Sequence, residues 1–175
     1  MDVHEAIRIR RSVRSYLDKP VPESALNRIL EAGRLAPSAN NLQPWHFVVV
    51  TDQAKREELS HGRWARFLKD CPVVIVGCGD RAASPKWHPI DVAIAMQQMV
   101  IAATADGLGT CWIGSFDEDV VRRILKVPEN YRVVAMLAVG YPKEPLEPTA
   151  RLRDTRRRKP IAEIVSYETF GGSTS

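Results

Sequence analysis

Arg10, Arg11 and Arg14 place three guanidiniums within five residues of the chain, with the hydroxyl of Ser12 among them. Set just past a helical stretch, such a group can grip one phosphate from several sides, because each guanidinium presents planar, paired donors. A solvated basic turn is the competing reading of residues 10–14 taken alone. Near the other end, Arg156, Arg157, Arg158 and Lys159 lead into Pro160. A charge run is commonly a solvated face; the alternative is that this one folds back to complete the phosphate site begun at Arg10.

Two uncharged segments add a different chemistry. Pro37-Ser38-Ala39-Asn40-Asn41-Leu42-Gln43-Pro44-Trp45 offers hydroxyl and amide groups that match the donors and acceptors on the edge of a heteroaromatic ring. Its bracketing prolines restrict it and lower the entropy lost on binding. Residues 107–115, Gly-Leu-Gly-Thr-Cys-Trp-Ile-Gly-Ser, have glycines that let a flat ligand lie close to backbone N–H groups. The bland alternatives are a connecting loop built from turn formers and a helix end running into a buried strand. Neither a dinucleotide-binding G-x-G-x-x-G nor a P-loop occurs. Cys71, Cys78 and Cys111 form no C-x-x-C pair, and no histidine stands at metal-ligand spacing from another. We expect buried, inert thiols that behave as small hydrophobes, no catalytic cysteine and no metal.

The charge balance narrows the partners. The chain carries a net charge of +4 over 175 residues. The stretch 151–159 holds a local excess of five, leaving about −1 elsewhere, which suits one phosphate or one patch better than a nucleic-acid footprint. A nucleic-acid-binding module using that stretch is the rival, and it predicts strongly salt-dependent affinity. Apolar residues at 45% and charged residues at 26% are globular composition. No secretory signal is visible at the N-terminus, and the apolar runs are too short to span a bilayer. A cytoplasmic protein without membrane partners is expected.

The elements that must position these residues are readable from periodicity. Helical spacing predicts helices over 2–11 with Asp2 as N-cap, over 22–35, over 53–68 with a break near Gly62, over 91–106 and from Asp117 to about residue 125. Strands are predicted over 45–51, 73–78 and 133–139, with 110–115 a short strand or loop. The run 73–78 is continuously apolar and so belongs at the centre of a sheet. The helix 91–106 is apolar on almost every side and must be buried on every side; in so small a chain this implies that a partner subunit covers part of it. Alternating strands and helices give an α/β or α+β fold in one domain, 1–175.

In their order along the chain, R-R-S-V-R, A-P-S-A-N-N-L-Q-P-W-H-F-V-V-V, D-x-A-I-A-x-Q-x-M ahead of G-L-G-T-C-W-I-G, and V-G-Y-P followed by basic residues resemble the nitroreductase family over about residues 4–168. The resemblance implies an α+β fold, a central, mainly antiparallel sheet flanked by helices, in an interlocked homodimer with FMN at each of two interface sites. It implies an oxidoreductase carrying hydride from NAD(P)H through the flavin to a small electron acceptor such as a nitroaromatic or a quinone. By motif position, Arg10, Arg11, Ser12 and Arg14 resemble the phosphate and ribityl grip. Pro37, Ser38, Ala39 and Asn41 resemble the loop that approaches the flavin, partly from the partner subunit. Ile113, Gly114 and Ser115 resemble the backbone near the ring's reactive edge, and Arg156 and Arg158 the closing basic pair. Arg63 or Arg66 would lie near the pyrimidine end. Arg10, Ser12, Arg14, Arg156 and Arg158 are expected to converge on the FMN phosphate, and no side chain is assigned as a general acid. The alternative within the same fold is a flavin-binding protein with little NAD(P)H turnover: a carrier, or an enzyme of flavin fragmentation or dehalogenation. The chain is short for the family, with no long insertion between the second strand and the buried helix, so the region covering the substrate is minimal.

Overall fold

A computed structural model describes residues 1–62, 64–144, 146 and 158–172. Four strands form one sheet in the order β1-β2-β4-β3: β1 Trp45–Val50, β2 Val73–Asp80, β3 Gly109–Ile113 and β4 Tyr131–Gly140. All pairings are antiparallel. Five helices flank it: α1 Val3–Ile9, α2 Glu23–Arg34, α3 Gln53–Leu59, α4 His88–Ala105 and α5 Glu118–Leu125. The architecture is α+β, as the resemblance implied. Strand and helix alternation alone had left α/β open, because period and propensity say nothing about strand direction.

Local chemistry sets the helix starts. Asp2, Asp52 and Asp117 each accept a backbone N–H of the first turn with the side-chain carboxylate, from Glu5 at 2.8 Å, Lys55 at 3.0 Å and Asp119 at 3.0 Å. These satisfy donors that a helix cannot pair internally. Pro22 precedes α2 as its N-cap rather than its first residue. The predicted helix 53–68 stops at Leu59, and a short 3-10 turn, Arg66–Asp70, follows.

The sheet is buried on both faces, which explains the unbroken apolar run in β2. Ile75, Leu137 and Val139 pack with Met96, Met99 and Val100 of α4 and Ile29 of α2. Val74, Val76 and Met136 face the other way, with Leu59, Leu68, Val121 and Val13. Each such fully buried side chain contributes about 1.5–3 kcal/mol of transfer free energy. Between Gly77 and Cys78 the register with β4 shifts by a bulge, so Val134 is skipped and Cys78 pairs with Val133.

Two features bear directly on the site. At the outer edge of β3, Ser12 bridges Thr110 in parallel, and the Val13 N–H donates to the Thr110 carbonyl at 2.8 Å. The close approach needs Gly109: a Cβ there would stand 2.6 Å from Val13 Cγ2, and Val13 is buried. Helix α4 begins at His88, three residues before the predicted start. In the single chain it is not covered all round: Ile90 is 50% and Ile94 38% exposed. No described helix is long and apolar enough to cross a membrane.

Candidate functional site

Residues 10–17 run along the β3 edge and then turn across the end of β4. Tyr16 is buried, its hydroxyl donates to the Val13 carbonyl at 2.6 Å, and the Leu17 N–H donates to the Tyr141 carbonyl at 2.8 Å. Burial pushes the Tyr16 phenol well above its ordinary value, so it stays a donor. This brace fixes the turn that carries Arg14. Arg14 lines the same cavity as Cys111 of β3, and Ser12 bridges its neighbour Thr110. Burial pushes the Cys111 thiol up, while the Arg14 charge, a Ser12 hydrogen bond and the Arg10 charge pull it down. The segment that carries Arg10, Ser12 and Arg14 thus runs along the β3 edge beside Cys111.

Arg11 is turned elsewhere. Its Nη2 donates to the Glu144 carbonyl at 2.8 Å and lies 3.7 Å from the Glu144 carboxylate. It ties the N-terminal segment to the chain beyond β4, and its buried Nε has no partner among the described residues.

Beside Arg14 opens a cavity of about 540 Å³, lined by Arg14, Trp64, Arg66, Phe67, Cys111, Trp112, Ile113, Gly114 and Ser115. That volume lies within the usual range for small-molecule sites, about 300–1,000 Å³. The structure therefore brings Arg14 to the segment Ile113–Ser115, with Arg66 beside them. A Cβ on Gly114 would meet nothing within 4 Å, and Gly114 has an ordinary negative φ. No protein neighbour requires glycine there, whereas a flat ring laid against the backbone would. A larger groove of about 740 Å³ lies on the other side of Arg14. Its cations are partly committed: Arg56 donates to the carbonyls of Lys69 and Cys71, and Lys19 sits 4.1 Å from the Tyr141 ring centroid.

The loop holding Pro37, Ser38, Ala39 and Asn41 is not at this cavity. It leads into β1, the opposite edge of the sheet from β3, three strand spacings or about 14 Å away. Asn40, Asn41 and Gln43 have φ of 50°, 54° and 48°, a left-handed conformation that ordinary side chains seldom adopt. Arg158 is exposed at the start of a C-terminal arm whose Ile161, Ile164, Tyr167 and Phe170 are also exposed. Among the described residues no hydrogen bond or ion pair joins Arg158 to residues 10–14. Arg156 and Arg63 lie outside the described residues.

The thiols behave as expected of core groups. Burial pushes Cys71 up to about 12 and Cys78 up to about 11. No group of three or more potential metal ligands occurs among the described residues. The motif reading had not singled out Trp64, Phe67 or Trp112 as wall residues. Trp64 and Phe67 stand in a segment whose helical period breaks, where spacing carries no information about facing.

An antiparallel α+β fold with a cationic, glycine-floored cavity at a sheet edge has the chemistry to receive a flat anionic ligand. The comparisons give the class a family. The nitroreductase family model matches residues 7–62 and 60–141. A candidate NADH dehydrogenase/NAD(P)H nitroreductase of Methanothermobacter thermautotrophicus is 38% identical over 82% of this chain and 79% of its own. A 5,6-dimethylbenzimidazole synthase of Rhodospirillum rubrum is 30% identical over 87% of this chain and 89% of its own. The solved structure of an FMN-dependent nitroreductase of Clostridium difficile R20291 is similar at a TM-score of 0.83 and 30% identity, covering 95% of this chain and 99% of that one. This chain belongs to the nitroreductase family and is an oxidoreductase.

Proposed function

We propose that this chain is a cytoplasmic, FMN-dependent NAD(P)H oxidoreductase working as a homodimer, with one flavin at each of two sites built from both subunits. Bound FMN would supply the redox chemistry for hydride transfer from NAD(P)H to a small acceptor such as a nitroaromatic or a quinone. The observation that carries this reading is the cavity in which Arg14 and Arg66 face a Gly114 that no protein neighbour constrains. The FMN-dependent relative supports it.

The chain's own groups would then divide the work. Arg10 and Ser12, with Arg156 and Arg158 from the C-terminal arm, hold the phosphate; planar guanidiniums bind its oxygens in pairs. Arg14 and Arg66 set positive charge beside the polar end of the ring, which favours the reduced, anionic form. The backbone of Ile113, Gly114 and Ser115 lies along the reactive edge. Pro37, Ser38, Ala39 and Asn41 come from the partner and shut out water, which is why a single chain leaves them on the far edge of its sheet. The uncovered Ile90 and Ile94 of α4 and the apolar residues of the exposed arm supply the surface for that pairing.

A second reading has its own support in the relative named as a 5,6-dimethylbenzimidazole synthase. The dimethylbenzene unit of that product also occurs in the flavin ring, so the same site could consume its flavin. One experiment separates the readings. The purified protein should be yellow, its visible flavin band should bleach on anaerobic addition of NADH or NADPH, and air should restore it in full. A band that does not bleach points to a carrier. Bleaching followed by loss of flavin and release of a dimethylbenzimidazole points to fragmentation, and a colourless protein that binds no FMN overturns both.

A further inference from the structure

We infer that Asp91 is a positioning residue for the flavin ring, acting through the Pro37–Gln43 loop; the inference rests on the FMN site proposed above. Asp91 lies in the first turns of α4 and is 3% exposed. Burying a carboxylate is costly unless its charge and lone pairs are compensated. Part of the compensation comes from the positive end of α4. A second part comes from far along the chain: Oδ1 accepts the Ala39 N–H at 3.1 Å, a bond spanning 52 residues. Asp91 does not cap its own helix, whose N-cap, Trp87, makes no side-chain capping bond.

The loop has reason to need an external tie. Three non-glycine residues in left-handed conformation sit within four positions, and such backbone persists only where its surroundings over-determine it. Its other bonds are internal. Ser38 Oγ accepts the Gln43 N–H at 2.9 Å, Gln43 Nε2 donates to the Asn41 carbonyl and to Asn41 Oδ1 at 3.2 Å each, and the Asn41 N–H donates to the Ser38 carbonyl at 3.0 Å. Among the described residues, Ala39–Asp91 is the one hydrogen bond that leaves residues 37–43 for the rest of the fold. These bonds shape the loop; Asp91 places it, and places it from the helix whose uncovered face we assign to the dimer interface. Ser84 Oγ in the turn before α4, and His88 Nε2 and the second Asp91 oxygen in its first turns, are buried without partners among the described residues, so the anchor is not one member of a closed polar network.

A loop that meets the ring and not the phosphate predicts a specific pattern. FMN and riboflavin are titrated into dimeric wild-type protein, Asp91→Ala, Asp91→Asn and Ala39→Pro, with the oligomer checked by sedimentation. Asp91→Ala removes the acceptor and Ala39→Pro removes the donor. Each should weaken both flavins by about tenfold or more, the usual effect of losing a charge-assisted bond, and leave the FMN-to-riboflavin ratio unchanged. Asp91→Asn keeps a carbonyl oxygen and should stay within about threefold of wild type for both. Unchanged affinities in Asp91→Ala and Ala39→Pro, a loss that falls on FMN alone, or Asp91→Asn as weak as Asp91→Ala would each overturn the inference. Wild-type protein that binds neither flavin would instead remove the site it rests on.

Discussion

Arg10 and Arg14 belong to one short segment, and the proposed site gives them different tasks. Arg14 shares a cavity with Ile113–Ser115, whereas Arg10 precedes the Ser12–Thr110 bridge. Arg10→Ala and Arg158→Ala should therefore each erode the preference for FMN over riboflavin by roughly tenfold or more, the value of one charge-assisted contact. Arg14→Ala should weaken both flavins alike. Competition titrations check this, and an unchanged preference in the first two variants with the fold intact would place the phosphate elsewhere. The thiols make a prediction in pH. Cys71 is raised by burial from its ordinary 9.0 to about 12, so the folded state holds its proton where the unfolded state has lost it. Its contribution to stability is complete below pH 9 and is lost as pH rises towards 12. Melting temperature should fall across that window, and Cys71→Ala, though less stable throughout, should show a shallower fall. Because Cys71, Cys78 and Cys111 stay neutral near pH 7, turnover should survive iodoacetamide on native protein; inactivation without unfolding would show that a thiol takes part.

At the scale of elements, the site hangs on how closely residues 12–14 lie against β3. Gly109→Val would drive a branched side chain into buried Val13, 2.6 Å from where its Cβ would stand. Overpacking of this kind costs about 1–3 kcal/mol, and it should shift the Ser12 and Arg14 segment and lower FMN affinity as well. Denaturant melts and a flavin titration measure the two effects; unaltered stability would mean the edge can yield. The elements themselves were largely legible. Asp2 and Asp117 are caps that precede apolar periodicity, and β2 and β4 are apolar runs too short for buried helices. What stayed illegible has a physical cause. Strand direction is not written in residue types, and in the stretch 60–70 the helical period gives way to turns, hiding the wall formed by Trp64 and Phe67. The Asp91–Ala39 bond spans 52 residues, and no local pattern announces it.

At the scale of the molecule, the ordered motifs implied a site near the flavin to which the partner subunit contributes part of the Pro37–Asn41 loop. The structure sets Pro37–Asn41 on one sheet edge and the Arg14 cavity on the other, so the site proposed above would take two copies. The apolar outer face of α4 fits that need. Ile94→Glu should yield monomers at micromolar concentration and lose bound flavin together with the dimer, as sedimentation and absorbance would show. A flavin-loaded monomer would contradict the pairing.

The sharing of one site by two chains is tested most directly with a mixed dimer. Arg14→Ala and Asp91→Ala chains carrying different affinity tags are co-expressed, and the doubly tagged dimer is isolated. If the cavity and the loop come from different subunits, each homodimer has two damaged sites, but the mixed dimer has one site bearing both defects and one intact. It should bind one FMN per dimer with wild-type affinity and recover about half of the NAD(P)H oxidation of the wild-type dimer. A mixed dimer with two weakened FMN sites, one like each homodimer and none of wild-type affinity, would mean that each chain builds its site alone, contrary to this account.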